Sequence, residues 1–307
     1  MATMKNKFGL SRNIPEHVKA EVRKACNYGC VLCGRIPYHY DHLNIPYAEA
    51  KEHAADDIVL LCVEHHDAKT RNIISADIIE SARKSRKAKD SYTRFKLPAT
   101  SPSWHVNWCG TIISDTAQVV KIGDENVLAM DRSENPLEPI LLSGVFRDRI
   151  GAIICRVQKN EFISRAQNLG DLKIQANRFE FRNHMGVCVL SFKIDYESIK
   201  IQEGFLAHGD GFFWGKGDEF IAGNMGVVSS YKDCKFRGGP TAFDIENNFK
   251  TYDFRGISYD NLKEIIGGGI NANGLSLSVS GLTKSIINVR RLRPQTDNSY
   301  LKFGRTK

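Results

Sequence analysis

The sequence predicts an α+β protein: a compact, ligand-rich module over residues 1–96, a linker at 97–103 and a mainly-β domain over 104–307. Three observations carry this expectation. Four of the eight cysteines, Cys26, Cys30, Cys33 and Cys62, lie close together near the start, with His65 and His66 directly behind. Apolar residues recur at helical spacing over 14–24 and 73–95, on either side of that cluster. From Trp104 onward, short β-rich runs alternate with Gly, Asn and Asp, as over 173–182 and 187–201.

A chain of 307 residues can build two ordinary domains, each with its own core. Apolar residues make up 42% and charged residues 25%, the balance of a globular protein in water. No apolar run is long enough to cross a bilayer, so no membrane partner is expected. Residues 1–13 carry Lys5, Lys7 and Arg12 without an apolar stretch, which is not a secretory signal. A cytoplasmic location is the resulting expectation. The net charge of +8 suits a polyanionic partner, though it equally suits a basic protein with none.

Within the first module, 14–24 reads as a short amphipathic helix and 30–70 as turn-rich and crowded with ligands. The second helical stretch carries Arg83, Lys84, Arg86, Lys87 and Lys89, and 69–96 holds nine basic against three acidic residues. Leu97-Pro98-Ala99-Thr100-Ser101-Pro102-Ser103 has linker composition. One late helix is expected over 259–266. There is no fixed-period repeat, and a β-solenoid remains a minor alternative for the β-rich part. In a reducing compartment the scattered Cys109, Cys155, Cys188 and Cys234 are expected in the core as small apolar residues.

The first chemical constellation is Cys30-x-x-Cys33-Gly34 with Cys62-x-x-His65. Two residues between ligands let a tight turn aim both side chains at one ion, and Gly34 frees the backbone to make it. Two such pairs complete a tetrahedral Cys3His zinc site, closed and therefore structural. Cys26 is an alternative ligand, although its place at the end of the preceding helix favours packing. The second constellation is His39-Tyr40-Asp41-His42, Asp57 and His66. Adjacent helical residues project about 100° apart, so His66 looks elsewhere than His65. Asp41 and His66 offer a hard oxygen and an imidazole to a divalent cation, and a neutral His42 can act as general base.

The stretch VRKACNYGCVLCG…YDH…DDIVLLCVEHHDAKT resembles an HNH endonuclease of the zinc-knuckle class, over residues 14–70. The resemblance implies a ββα-metal module, a hairpin followed by a helix that clasps one catalytic Mg²⁺ or Mn²⁺ ion. It implies that His42 is the first H and the general base, with Asp41 and His66, the last H, as ligands of that ion. The middle N falls on Asp57, a departure from the family letter. In the family that residue holds the loop that orients the base. Asp accepts the same backbone hydrogen bonds but donates none.

The function implied is metal-dependent hydrolysis of DNA phosphodiester bonds. Lys69, Arg83, Lys84, Arg86 and Lys87 would hold the phosphate backbone without reading sequence, the other reading being a solvated helix face. The C-terminal domain carries no catalytic signature. Phe212-Phe213-Trp214 with Lys216 fits base stacking or a packed β-core, and Arg290-Arg291-x-Arg293 fits phosphate contact or an edge strand. Its expected role is control through DNA recognition, a small ligand or a partner protein, with self-association on activation. This layout is similar to that of prokaryotic defence effectors, including those paired with a short Argonaute. The competing reading is an inactive zinc-held nucleic-acid-binding adaptor. Retention of Asp41, His42 and His66 favours the enzyme, because an adaptor needs only the four zinc ligands.

Overall fold

The computed structural model describes residues 5–245, apart from 89, 90, 98, 100, 102, 225, 226 and 239, together with 286–291. β-strands are the commonest structure among the described residues, with three α-helices, all before residue 89. Among the described residues, no helix is long and apolar enough to cross a membrane. The expected helix over 259–266 lies outside the described residues, as does Arg293. The chain forms two compact units. The first comprises Met1–Lys96 with Phe162–Ile174 and Arg182–Val187; the second takes Leu97–Glu161, Gln175–Phe181 and the described residues from Cys188 onward.

In the first unit, helix α1 (Glu16–Ala25) follows Pro15, has an acidic residue in its first turn and Arg23 and Lys24 in its last. Those charges complement the helix dipole. It ends where Asn27 turns left-handed and the Tyr28 N–H returns to the Arg23 carbonyl (2.8 Å). Strands β1 (His39–His42) and β2 (Ile58–Leu61) pair antiparallel, with His42 opposite Ile58 and Asp41 opposite Val59. All four residues of β2 are buried, and they form one core with Val18, Val22, Cys26, Val31, Leu43 and Ile79. Helix α2 (Val63–Thr70) starts directly after Cys62, giving a strand–strand–helix order. It stops at left-handed Asn72, which lets the Ile73 N–H reach the Ala68 carbonyl (2.8 Å).

Helical periodicity overshoots the third helix. Helix α3 spans Ala76–Ala88, and Tyr92–Lys96 is instead a strand, β3. Tyr92, Thr93 and Phe95 are strand formers, and Ser91 bonds back to the Arg86 carbonyl (2.6 Å) instead of extending the helix. The first unit also departs from a boundary at residue 96, because Phe162–Ile174 and Arg182–Val187 belong to it. Buried Arg23 forms a two-pronged ion pair with Asp171 (2.8 Å for each prong). The Tyr28 and Tyr38 hydroxyls donate to the Gly170 (2.8 Å) and Leu172 (3.0 Å) carbonyls. A fragment ending at residue 96 lacks all these partners. Asp171→Ala, which leaves the buried guanidinium only Glu16 (2.9 Å) and the Tyr40 hydroxyl (3.0 Å), is expected to lower the stability of the first unit by about 2 kcal/mol. Local hydrogen exchange across α1 tests this, and unchanged protection there would refute it.

In the second unit, one sheet runs in the spatial order Thr241–Ile245, Gln118–Ile122, Glu125–Arg132, Ile140–Arg147, Ile153–Gln158. Its first pair is parallel and the others antiparallel. An antiparallel sheet runs Cys188–Ile194, Ser198–His208, Gly211–Lys216, Glu219–Gly223, Val227–Lys232, Ile286–Arg291. Ile140–Arg147 alternates buried and half-buried positions, the period of a strand with one face in a core. That core is aromatic: Trp108 meets Phe146 and Phe213, and Phe243 meets Phe213, Phe220, Tyr231 and Phe236. Position 215 must be glycine, since a Cβ there would collide with the Trp108 ring nitrogen and the Cys109 sulfur. Phe212, Phe213 and Trp214 are buried, which removes the ring faces that base stacking needs. Cys109, Cys155 and Cys234 are buried and Cys188 half-buried. Within the expected linker, Leu97, Ala99 and Ser101 are buried and Ser103 is exposed, and the Leu97 N–H donates to the Asn160 carbonyl (2.8 Å).

Candidate metal centre and histidine cluster

Cys30, Cys33 and Gly34 form a tight knuckle in which the Gly34 N–H donates to the Cys30 carbonyl (2.7 Å) and Gly34 takes φ +76°. A Cβ at Gly34 would lie 2.5 Å from the Tyr92 carbonyl oxygen, so glycine is required twice over. The Val31 N–H donates to the Leu60 carbonyl (3.0 Å) and ties the knuckle to β2. Cys62 stands where β2 passes into α2, and His65 lies one turn further on.

Cys30 Sγ, Cys33 Sγ, Cys62 Sγ and a His65 ring nitrogen all lie within 4.8 Å of one another, a group that could hold a metal ion. Cys33 and Cys62 sulfurs are 3.7 Å apart, and His65 Nδ1 is 3.3 Å from Cys30 Sγ and 3.2 Å from Cys62 Sγ. Ligands at ordinary zinc distances on a tetrahedron are separated by about 3.8 Å for S···S and about 3.5 Å for S···N. The donor set therefore fits a structural zinc. Its electrostatics agree. A hydrogen bond from Cys33 and several backbone N–H groups pull the Cys30 thiol well down, while its partner Cys33 is pushed up. Burial raises Cys62. Sulfurs this close cannot all ionise without a cation among them. Cys26 is not one of the four: it is fully buried at the end of α1, and burial lifts its thiol to about 11.

The second cluster grows from the end of β1. Asp41 Oδ1 lies 3.8 Å from His66 Nε2, and the other carboxylate oxygen takes an ion pair from Lys69 Nζ (2.7 Å). Lys69 also donates to the His42 carbonyl. One carboxylate and one imidazole thus meet on the hairpin–helix seam, half open to solvent. His42 turns its Nε2 to His53 Nδ1 at 3.4 Å, and His53 Nε2 lies 2.8 Å from the Ser11 carbonyl oxygen. Burial and the neighbouring His53 lower the basicity of His42, which favours the neutral ring. Asp57 fastens the loop that follows β1: its two carboxylate oxygens accept from the Asn44 N–H (2.9 Å) and the Ile45 N–H (3.2 Å), and its carbonyl accepts from the Leu43 N–H (2.6 Å).

Comparison with protein-family models, with curated proteins and with solved structures gives no significant match. Geometry and donor chemistry therefore carry the functional reading.

The basic residues are less uniform than their charge suggests. Lys69 is half-buried on Asp41. Arg83 donates to the Asp56 carbonyl (2.8 Å) and pairs with Glu80 (2.7 Å). Arg86 is spent on the carbonyls of Cys26, Asn27 and Tyr92, so it is a structural latch beside the knuckle and not a free phosphate contact. Lys84 is exposed and loosely paired with Glu80 (3.6 Å). The Lys87 side chain lies outside the described residues. Sequence reasoning missed His53. Its signal is only that it is the single histidine on the loop between β1 and β2.

Proposed function

We propose that the first unit is a zinc-held, metal-dependent endonuclease of the HNH type that hydrolyses DNA phosphodiester bonds. The observation that carries this reading is the meeting of Asp41, His66 and Lys69 beside His42 on one strand–strand–helix unit. In this reading His42 takes a proton from water. The water oxygen bonds to phosphorus as the bond to O3′ breaks and the departing O3′ takes a proton from solvent, leaving a 5′-phosphate and a 3′-hydroxyl. Asp41 and His66 would hold a divalent ion, which supplies Lewis-acid stabilisation of the charge on the phosphate. The Lys69 ammonium pairs with Asp41 and adds positive charge near the phosphate. Asp57 holds the loop after His42, and zinc at Cys30, Cys33, Cys62 and His65 holds the hairpin against α2.

The test is incubation of full-length protein with supercoiled plasmid, with and without Mg²⁺ or Mn²⁺. Metal-dependent nicking supports the reading. DNA binding without any turnover at either metal would replace it with the adaptor.

The hydrogen bonding at Asp57 gives a separate expectation. Each carboxylate oxygen serves one backbone N–H, whereas Asn offers a single acceptor and turns a donor to the second. Asp57→Asn is therefore expected to slow cleavage several-fold, with a stability loss of roughly 1 kcal/mol. Asp57→Ala should cost more on both counts. An Asn variant faster than wild type would show that the loop needs only one acceptor.

A further inference from the structure

His53 sits on the loop between the two hairpin strands, and the identity of its neighbours decides where its hydrogen must be. The Ser11 carbonyl can only accept, so at 2.8 Å the hydrogen between them belongs to His53 Nε2. A neutral His53 then has a bare Nδ1, which can only accept in turn. That nitrogen faces His42 Nε2 at 3.4 Å, so the hydrogen there belongs to His42. In the neutral pair this leaves the lone pair of His42 on Nδ1. The surroundings hold the chain of contacts in place. Asn6 Nδ2 donates to the Tyr47 (2.7 Å) and Ala50 (2.6 Å) carbonyls, and the Tyr47 hydroxyl donates to the Leu10 carbonyl (2.8 Å). The Tyr47 ring stacks on His53, 6.3 Å between centroids and 9° between planes.

We propose that His53 is a positioning residue for His42, fixing through the Ser11 carbonyl the tautomer in which His42 presents a bare Nδ1 to the attacking water. The proposal rests on the hydrolase reading for its consequence, but the tautomer is measurable without it. The wrong tautomer would place a hydrogen where the water's proton must go. Once His42 has taken that proton, its Nε2–H still donates to His53, now as a charge-assisted hydrogen bond. The paired rings thus steady both the neutral base and the imidazolium it becomes.

The competing arrangement is a metal ion shared by the two rings, since two imidazole ligands on zinc also stand about 3.4 Å apart. Here His53 and His42 supply two donors, and the metal-binding group found among the described residues is the Cys3His set.

The experiment is ¹⁵N NMR of the histidine rings in zinc-loaded, full-length protein without added divalent ion, alongside plasmid cleavage by two variants. The expected spectrum has His42 unprotonated at Nδ1 and protonated at Nε2. His53→Gln can accept from His42 and donate to Ser11, so it should keep that pattern and cut within about tenfold of wild type. His53→Leu should show mixed tautomers and lose about 100-fold in kcat with KM unchanged, at the low end of general-base contributions. Three results overturn the proposal: wild-type His42 protonated at Nδ1, His53→Leu cutting at the wild-type kcat, or a second zinc per chain that disappears in His53→Leu. If His53→Leu fails to fold, the wild-type spectrum and the Gln variant still decide. A wild-type protein with the expected tautomer that never cuts DNA would overturn the hydrolase reading and leave the tautomer assignment standing.

Discussion

Cys62→Ser is expected to strip the metal from the Cys3His centre and to unfold the first unit. Apparent binding energies of structural zinc sites are about 10–16 kcal/mol, while whole domains are stable by only about 5–15 kcal/mol. Losing one of four donors therefore removes an energy comparable with the entire stability of the unit. Position 62 is the most damaging choice, because Cys62 joins the buried strand β2 to helix α2 and contacts both Cys33 and His65. The damage should reach the second cluster too, since Asp41 lies on the strand paired to β2 and His66 on α2. Cys26→Ser is the internal control. It buries a hydroxyl at the end of α1, costing about 1–3 kcal/mol of packing and desolvation, and leaves metal content unchanged. Elemental analysis with hydrogen exchange over β2 and α2 reads both variants. One zinc per chain and native protection in Cys62→Ser would refute the ligand set. Loss of zinc from Cys26→Ser would replace one of its members.

What the sequence revealed of this site was its spacing. Ligand pairs two residues apart, with a glycine where the turn needs one, are a local signal, and the four donors come together in the structure. Contacts that depend on loop conformation were not legible. His53 lies eleven residues after His42, and they meet only because Asp57 folds the loop end while Asn6 and Tyr47 fasten its middle. Nothing in the residue letters marks that fold. Charge alone did not reveal partners at Arg86 and Lys69 either. Both are basic residues in a basic segment, yet the Arg86 guanidinium is taken up by three carbonyls, whereas the Lys69 ammonium sits beside Asp41 in the second cluster.

The β-rich part shows the same division. Burial alternates along 140–147, but the letters ILLSGVFR do not, so neither the inward face of this strand nor its neighbour can be read from them. The aromatic run at 212–214 reads two ways until its neighbours are known. The close approach of Trp108 to Gly215 settles it as core. Nor is the membership of 162–174 in the first unit visible, because the pairing of Arg23 with Asp171 spans residues far apart in the chain. Long-range ion pairs leave no periodic trace.

His42→Ala is expected to abolish plasmid nicking while zinc content and melting temperature stay near the wild-type values. A general base contributes about 10²–10⁴-fold, and deleting the ring removes both the base and the group that orients water. The fold should tolerate the change. His42 ends β1, is half-buried, and packs against Tyr47 and His53 rather than in the core around β2. Its backbone contact with Lys69 runs through the carbonyl and survives substitution. Asp41→Ala and His66→Ala should also lose activity, but through the divalent ion, so raised Mn²⁺ should restore part of it. No metal concentration should rescue His42→Ala, and this difference separates a base from a ligand. Binding of uncleaved DNA by all three variants, measured with chelator present, should match wild type, because none removes an exposed cation. Cleavage by His42→Ala at the wild-type rate and equal metal would show that the proton goes elsewhere. Rescue by Mn²⁺ would instead make His42 a third ligand of the ion and leave the hydrolysis itself in place.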